Sequence, residues 1–293
     1  QGIGFLTTSV ISGFLVAWTG MFGTLIFALV LTGVVFAHLS AVDFGPKASV
    51  AATASATGEA PQPRRVDIKG TILVVAAVPG LFALIFFTTF NNFLGGIFMA
   101  LLDAYGLSLV AVEVWGLTFG VLSIAFIVSG LVISKTGLGK NPLRTMMIVN
   151  CIVWPVCMLF TIQSWYWLLV LGCAVWMFCG PFIEAAEHTT LQKVVPPERQ
   201  GRVFGFAQSV EQSASPLTAF LIGPLTQFVV IPFMSAGGAG GRAIGSWFGT
   251  GPERGMALVF TIAGFVGLVV TIIAFNSKYY RQLSATYLSG SDE

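Results

Sequence analysis

Long apolar stretches separated by short polar segments run through most of the chain. A helix rises 1.5 Å per residue, so about 20 apolar residues span the roughly 30 Å hydrocarbon core of a bilayer. The pattern therefore predicts an all-α integral membrane protein. We place eight membrane spans at Ile3–Trp18, Met21–Ala41, Gly70–Phe90, Val112–Ile133, Met146–Ile162, Trp165–Ile183, Val203–Phe233 and Met256–Phe275.

One long polar segment, at residues 43–69, interrupts this pattern. It is rich in Ala, Ser, Thr and Pro and has too few large apolar side chains to pack, so we expect a flexible cytoplasmic linker. The linker divides the chain into a two-span part at residues 1–42 and a six-span unit at residues 70–276. Residues 277–293 follow as a polar cytoplasmic tail.

Composition and charge support the membrane assignment and orient the spans. Charged residues make up 9% of the 293 residues, whereas soluble domains carry about 25%. Lys and Arg are enriched in the cytoplasmic loops of membrane proteins. Placing both ends of the chain in the cytoplasm puts every Lys and Arg except Arg242 and Arg254 on the cytoplasmic side. We therefore expect a multi-pass protein of the cell (plasma) membrane in this orientation.

The apolar stretch after the linker is longer than one membrane crossing. Residues 70–102 would form a helix about 50 Å long, against a core of roughly 30 Å. Three residue pairs offer places to bend, at Pro79-Gly80, Asn91-Asn92 and Gly95-Gly96. Either the helix breaks in its outer half, which would suit a moving gate, or it protrudes into the outer headgroups. Asn91 and Asn92 are also candidates for hydrogen bonds within a substrate cavity.

A glycine-rich outer loop occupies residues 235–255, and we expect it to be mobile. Trp247 and Phe248 would then dip into the outer membrane interface, and an unstructured connector is the alternative. Asp103 and Glu113 lie near the outer ends of two other spans. These two acids attract cations or line the outer vestibule, or they are ordinary solvated residues of the interface.

A short loop between two predicted spans combines glycines with basic residues. It resembles the G-x-x-x-D-R-x-G-R-K loop of the major facilitator superfamily, and the residues that match in type are Gly130, Lys135, Gly137 and Lys140. Ser134 stands where the family pattern has Asp, and the run ends in Leu138-Gly139-Lys140 where the pattern ends in Arg-Lys. A small residue in such a loop lets two helices approach closely, and the charges fasten the cytoplasmic turn to neighbouring helix ends.

The loop before the span at Val203–Phe233 carries a more specific run, LQKVVPPERQGRV at residues 191–203. It resembles the L-Q-x-x-V-P-P-E-x-x-G-R-V run of the drug:proton antiporter branch of that superfamily, which contains macrolide-efflux pumps and the enterobactin exporter. Pro196 and Pro197 end one element, and Glu198 lies near the first turn of the next helix, where a carboxylate is favoured. Arg199 and Arg202 anchor the inner end of that helix at the headgroups.

This resemblance implies an architecture. It places the eight spans as helices five to twelve of the twelve-helix major facilitator fold, in which two six-helix halves surround a central cavity. Residues 1–42 would be the last two helices of the N-terminal half, and residues 70–276 the C-terminal half. The chain opens at Gln1 inside a span and without a Met, so we expect a partial chain. A complete eight-helix protein is the alternative.

Polar residues recur at three- and four-residue steps along the predicted span Val203–Phe233. The stripe consists of Gln208, Glu211, Gln212, Ser215 and Thr218. Polar and ionisable residues within a membrane face a cavity or a partner, so we expect this stripe to face the central cavity. Glu211 lies about 12 Å into the helix and either titrates during transport or binds a cationic substrate. The alternative is a structural Glu that is hydrogen-bonded to a neighbouring helix.

Three titratable residues cluster near the inner end of the preceding span, at Glu184, Glu187 and His188. Residues three and four apart share one face of a helix, and His titrates near neutral pH. Together with Arg199 and Arg202, these residues are candidates for an inner gate or a proton exit. The alternative is an interface cluster in which the acids pair with the two arginines.

These features predict a secondary active transporter that exports amphipathic small molecules or drugs in exchange for protons by alternating access, with a role in multidrug efflux and antibiotic resistance. A dedicated metabolite or siderophore exporter of the same fold is the alternative. We expect no enzyme, because neither His38 nor His188 has a catalytic triad around it. We expect no cofactor, metal site or nucleic-acid partner. The expected partners are the small-molecule substrate, protons and the lipid bilayer, and the expected state is a monomer.

Overall fold

The computed structural model describes residues 2–41 and 68–289, so nearly all of the linker lies outside the described part of the chain. Every regular element within these residues is helical, and a π-helical turn at Thr226–Val230 follows the seventh helix. The α-helices are α1 (Gly2–Ala41), α2 (Ile68–Ala77), α3 (Leu81–Leu109), α4 (Val112–Thr136), α5 (Pro142–Leu159), α6 (Tyr166–Val194), α7 (Pro197–Leu225), α8 (Ile231–Met234), α9 (Ala239–Phe248), α10 (Pro252–Asn276) and α11 (Lys278–Ser289).

Seven helical stretches among the described residues are long and apolar enough to cross a membrane, one fewer than the eight predicted spans. The difference lies in α1, where the backbone kinks at Gly20 with a φ of 69°. Of the described residues in α1, the stretch Trp18–His38 qualifies. The other six stretches are Leu81–Leu109, Val112–Thr136, Pro142–Leu159, Tyr166–Val194, Pro197–Met234 and Pro252–Asn276.

Short connections join most of the long helices, so consecutive ones run antiparallel. We use "linker end" for the end of the bundle where α3, α5 and α7 begin and α4, α6 and α10 finish. We use "distal end" for the opposite end. Helix α1 packs along α4, and α11 packs against α3, α5 and α6.

Small residues set the closest helix contacts. A Cβ atom added to Gly96 of α3 would lie 2.8 Å from the carbonyl oxygen of Ser215 and 3.0 Å from Cβ of Thr218, both on α7. A Cβ atom added to Gly264 of α10 would lie 2.5 Å from the backbone nitrogen of Met158 on α5. Glycine at these positions lets the backbones of membrane helices approach closely. The α3–α7 interface formed in this way holds the candidate site described below.

The core divides into two apolar clusters, one in each half of the bundle. Aromatic rings dominate the distal cluster, where the rings of Phe98 and Phe260 stack with centroids 5.0 Å apart. Tyr105 meets Phe260 edge-on at 6.0 Å. Offset and edge-on pairs of this kind are the favoured aromatic geometries. The cluster in the linker half is built mainly from aliphatic residues such as Leu81, Leu143 and Leu191.

The predicted long helix bends at one of its three candidate positions. It is interrupted at Pro79-Gly80, where Gly80 has a φ of 84° and directly precedes α3. From there α3 continues without a break through Asn91-Asn92 and Gly95-Gly96 to Leu109. Of the two alternatives for this helix, the break in its outer half is not observed, and both asparagine side chains hydrogen-bond to carbonyls of their own helix.

The glycine-rich segment at residues 235–255 is not an unstructured connector. It forms helix α9, which ends where the Gly249 N–H donates to the carbonyl of Gly245 at 3.0 Å. Trp247 is exposed, but Phe248 is buried beneath the guanidinium of Arg254, 4.2 Å from its ring centroid. The prediction that Phe248 dips into the membrane interface is therefore wrong, because Phe248 packs inside the protein.

Candidate functional site

Glu211 lies on the buried face of α7. The residues on this face recur every three or four positions and are small or apolar apart from Glu211 and Thr218; they are Val203, Ala207, Glu211, Ala214, Thr218 and Ile222. Glu211 is 2% exposed, and the hydroxyl of Thr88 on α3 donates to its Oε1 at 2.7 Å. Glu211 therefore lies in the interface between α3 and α7.

The other members of the predicted polar stripe differ in their surroundings. Thr218 is buried, Gln208 and Ser215 are half-buried, and Gln212 is exposed. Gln208 Nε2 lies 3.3 Å from Nε2 of His188, which also meets the ring of Phe204 edge-on. The stripe is thus wider than one contact surface, because steps of three and four residues spread over an arc of the helix.

Glu187 on α6 joins Glu211 in the interior. It is 7% exposed, and its carboxyl group interacts with Glu211, Thr88 and Glu184, none of which is a cation. Its Oε1 is buried and has no hydrogen-bond partner among the described residues. We call Glu187 and Glu211 the carboxyl pair. Such a pair can hold a proton, because a protonated carboxyl supplies the O–H donor that a second carboxylate lacks.

The residues predicted to form an inner gate do not stay together. Glu187 and His188 face α7, whereas Glu184 is exposed at the surface of α6. Arg199 and Arg202 are also exposed, and they line a separate cleft of about 290 Å³ together with Gly70, Thr71, Val74, Glu198 and Val203. The sequence pattern thus identified residues that the fold distributes between a buried pair and a surface cleft.

The motif at residues 191–203 starts α7 as predicted. Pro197 occupies the beginning of the helix, and Glu198 lies in its first turn. The side chain of Gln200 then folds back, and its Nε2 donates to the carbonyl oxygens of Gln192 at 2.7 Å and Val195 at 3.1 Å. These bonds satisfy carbonyl groups at the end of α6 and fix the turn between the two helices.

The two asparagines of α3 have different roles. Trp154 Nε1 on α5 donates to Asn91 Oδ1 at 3.1 Å, so Asn91 links α3 to α5. Asn92 donates only along its own helix, to the carbonyl oxygen of Thr88 at 3.2 Å. Both side chains are half-buried. The asparagine pair therefore lies one turn distal to Thr88 and the carboxyl pair.

A cavity with a volume of about 500 Å³ lies in the distal half of the bundle. Side chains from α1, α3, α4, α5 and α6 surround it, and its aromatic walls are Phe98, Trp115, Phe119, Phe126, Phe160 and Trp176. The carboxylate of Asp103 also lines it and accepts a hydrogen bond from Trp115 Nε1 at 2.9 Å. The sequence indicated only Asp103, as a residue of an outer vestibule. It did not indicate the aromatic walls, because they come from several helices and share no local spacing.

The basic loop between α4 and α5 uses its glycines for a turn. Gly137 caps α4 with a φ of 66°, and its N–H donates to the carbonyl of Ile133 at 2.8 Å. Gly130 is exposed, and no described atom lies within 4 Å of an added Cβ, so the predicted close helix contact at Gly130 is absent from the described residues. Lys135 and Lys140 are exposed on either side of the turn.

Arg254, at the start of α10, is a buried cation that the sequence analysis did not single out. It is 4% exposed, and its Nη1 and Nη2 donate to the carbonyl oxygens of Thr161 at 2.9 Å and Ile162 at 2.8 Å. Its Nε donates to the carbonyl oxygen of Phe248. Arg254 therefore fastens the turn between α5 and α6 to the end of α9.

Comparison with known proteins agrees with this architecture. No curated protein and no solved structure matches the chain. A family model described as Major Facilitator Superfamily matches residues 1–219, which is most of the chain. Together with the seven long apolar helices, this match makes the protein a multi-pass membrane transporter. The chain belongs to the major facilitator superfamily.

Proposed function

We propose that this protein is a secondary active transporter that exports amphipathic small molecules in exchange for protons. The observation that carries the proposal is the distal cavity. Its volume of about 500 Å³ lies within the range of roughly 300–1,000 Å³ that is typical of small-molecule sites. Aromatic walls with one carboxylate suit a ligand that combines an apolar body with a positive charge.

The proton part of the proposal rests on Glu211. Glu211 is a buried carboxyl group with a neutral partner, Thr88, and an acidic partner, Glu187. Such a group can take up and release a proton as the transporter opens to one side of the membrane and then to the other. Ionisable residues within membrane segments mark ion paths and proton relays. The chain also lacks a P-loop motif, which favours an ion gradient over ATP as the driving force.

The placement of the chain in a larger transporter belongs to the same proposal. Residues 1–42 would supply the last two helices of an N-terminal half, and residues 70–276 the C-terminal half, of a twelve-helix protein. The N- and C-terminal ends of this chain would lie in the cytoplasm. The distal end of the bundle would face the outside of the cell. The run at residues 191–203 supports the drug:proton antiporter branch, whose members include exporters of drugs.

Transport by the full-length protein in proteoliposomes tests the proposal. We would impose a pH gradient and follow a cationic dye and a macrolide, and we expect flux that depends on the gradient. Gradient-dependent flux of neither compound would contradict drug export and favour a dedicated metabolite or siderophore exporter. Flux that is insensitive to the gradient would contradict proton exchange.

Two tryptophans of α6 provide a matched test of the cavity. Trp176 lines the cavity, whereas Trp167, on the same helix, is 64% exposed and lies outside it. We expect Trp176→Ala to raise the KM for the dye about tenfold, which corresponds to ~1.4 kcal/mol of binding free energy. Trp167→Ala should leave the KM unchanged. Equal effects of the two substitutions would contradict substrate binding in this cavity.

A further inference from the structure

We propose that Glu187 and Glu211 together bind one exchangeable proton, and that the hydroxyl of Thr88 reverses its hydrogen bond when this proton arrives or leaves. The inference rests on the proposed proton exchange and identifies the site at which it takes place. The pair carries one proton and a net charge of −1 in the loaded form. It carries no proton and a net charge of −2 after the proton has passed to water.

Burial of both acids is the first argument. Glu187 is 7% exposed and Glu211 is 2% exposed, and their carboxyl groups interact with one another. Two ionised carboxylates in a buried site repel each other, and neither is fully hydrated. One proton placed between them removes a charge and supplies a hydrogen-bond donor. The form with one proton therefore has less charge repulsion and one more hydrogen-bond donor than the form with two carboxylates.

The unpaired oxygen of Glu187 is the second, independent argument. Glu187 Oε1 is buried and has no hydrogen-bond partner among the described residues. Buried polar oxygens without a partner are rare in folded proteins and call for an explanation such as an ion or a chemical role. A proton on the pair is one such explanation. It requires no further ligand, and no group of three or more His, Cys, Asp or Glu residues suited to a metal occurs among the described residues.

Thr88 is the third argument, because its hydroxyl has more acceptors in reach than it has protons. Thr88 Oγ1 lies 2.7 Å from Glu211 Oε1 and 3.1 Å from each of the carbonyl oxygens of Leu84 and Ile85. A hydroxyl has one O–H donor and two acceptor lone pairs. When Glu211 is ionised, Thr88 donates to it. When Glu211 is protonated, Thr88 accepts from Glu211 and donates to its own helix instead.

Among the described residues, the groups that interact with the Glu187 carboxyl include no cation. On α7, the basic residue closest in sequence to Glu211 is Arg202, which lies about 13 Å away along the helix axis. Besides the pair, the charged and histidine residues of α6, α7 and α3 are Glu184, His188 and Lys193, Glu198, Arg199 and Arg202, and Asp103. The other helices that pack against α6 or α7 carry Lys69 on α2, Glu113 and Lys135 on α4, Arg144 on α5, and Lys278 and Arg281 on α11. Of these, His188 is next to Glu187 in sequence, but it faces Gln208 and Phe204.

Infrared spectroscopy of the full-length protein in lipid vesicles tests the shared proton. We would record the C=O stretching band of protonated carboxyl groups during a pH titration. We expect one band that titrates in the wild type and is lost in both Glu187→Gln and Glu211→Gln. Glu113→Gln, which changes an exposed acid at the start of α4, should keep the band. A band that survives in either pair variant, in protein that remains folded by thermal unfolding, would overturn the proposal.

Two substitutions at position 88 test the reversal of the hydrogen bond. Thr88→Val keeps the shape but removes the hydroxyl, so the ionised Glu211 loses its donor. We expect the midpoint of the carboxyl titration to rise by about one pH unit, the size expected for a hydrogen bond to a charged group. Thr88→Ser retains the hydroxyl and should titrate like the wild type. A Thr88→Val titration at the wild-type midpoint would contradict the role of Thr88.

The spectroscopic result is independent of transport. If the titrating band is present but the flux does not depend on the pH gradient, the proton site is supported and the proposed function is contradicted. If flux follows the gradient but the band is absent, proton exchange takes place at another site and the present inference fails. A band that moves with sodium concentration at fixed pH would also overturn it, because a metal cation would then compete for the pair.

Discussion

Arg254 at the distal end and the carboxyl pair in the linker half are both buried, but their partners differ. Each of the three guanidinium nitrogens of Arg254 donates to at least one backbone carbonyl. The carboxyl pair has one neutral donor, Thr88, and leaves Glu187 Oε1 without a partner. The guanidinium of Arg254 is thus held in place by its hydrogen bonds. The carboxyl pair still lacks a hydrogen-bond donor, and a bound proton can supply one.

This difference separates two uses of a buried charge. Carbonyl groups at the ends of helices need donors, and Arg254 supplies them where α5 ends and α9 ends. Its removal would leave several acceptors unsatisfied, so it serves stability. Glu187 and Glu211 are two acids that interact with each other, so removing one of them lowers the negative charge that the proton-free pair must hold. Variants at the two sites should therefore change stability in different ways.

The largest expected effect is at Arg254. Arg254→Met would leave the carbonyls of Thr161, Ile162 and Phe248 without their donors, and unsatisfied buried groups cost about 1–3 kcal/mol each. We expect a loss of about 3 kcal/mol or more in the free energy of unfolding. The measurement is thermal or denaturant unfolding of the purified protein in detergent.

Arg242 is the matched control for this substitution. It also lies at the distal end but is exposed, and its guanidinium donates to the carbonyl oxygen of Gly237 at 2.6 Å. Exposed substitutions usually change stability by no more than about 0.5 kcal/mol. If Arg242→Met destabilised the protein as much as Arg254→Met, the structural role assigned to Arg254 would be wrong.

A smaller effect is expected where α3 and α7 approach around the carboxyl pair. In Gly96→Ala the new Cβ would meet Ser215 and Thr218, and such overpacking typically costs about 1–3 kcal/mol. Gly95→Ala is the control, because no described atom lies within 4 Å of its Cβ and Ala favours the helix over Gly by about 1 kcal/mol. The free energy of unfolding should therefore fall in Gly96→Ala and rise in Gly95→Ala. Destabilisation by both would show that backbone flexibility, rather than the close contact, matters here.

The pH dependence of stability gives the next prediction, which concerns the carboxyl pair. An unfolded Glu, which titrates near 4.3, has lost its proton at neutral pH, whereas we propose that the folded pair retains one. The folded state then binds more protons than the unfolded state, so the free energy of unfolding falls as the pH rises. The slope is at most about 1.4 kcal/mol per pH unit for one proton.

Glu187→Gln removes one of the two acids and should flatten that slope. Unfolding midpoints measured across neutral pH would show this, with Glu113→Gln as a control that keeps the wild-type slope. The fall in stability should end once the folded pair has itself released its proton. Identical slopes in the wild type and Glu187→Gln would contradict a proton held by the pair.

The sequence predicted most of the helices because they follow from local periodicity. Apolar runs of sufficient length form membrane helices. The position of Glu211 along its helix was counted from Val203, whereas α7 begins six residues earlier, at Pro197. The pairing of Glu187 with Glu211 was not predicted, because it depends on how α6 and α7 rotate about their axes. Glu187 was instead grouped with Glu184 and His188, its neighbours in sequence.

Other errors have the same physical origin. The helix at Ala239–Phe248 was missed because glycine is a poor helix former, and here packing of α9 against its neighbours overrides that low propensity. Arg254 was assigned to an outer loop, although the end of α5 and the start of α10 come together around it. The aromatic cavity needs five helices. Each of these features depends on contacts between elements that are distant in sequence.

The smallest expected effect compares Asn91 with Asn92, the neutral polar pair one turn distal to Thr88. Asn91→Ala removes the acceptor of the buried Trp154 Nε1, and we expect a loss of about 1 kcal/mol in the free energy of unfolding. Asn92→Ala loses a bond within its own helix only, and the higher helix propensity of Ala offsets most of that loss. Transport kinetics separate this structural effect from substrate binding. If Asn92→Ala raised the KM for the dye without changing stability, Asn92 would face the substrate, and the sequence-based prediction of a cavity residue would hold for Asn92 but not for Asn91.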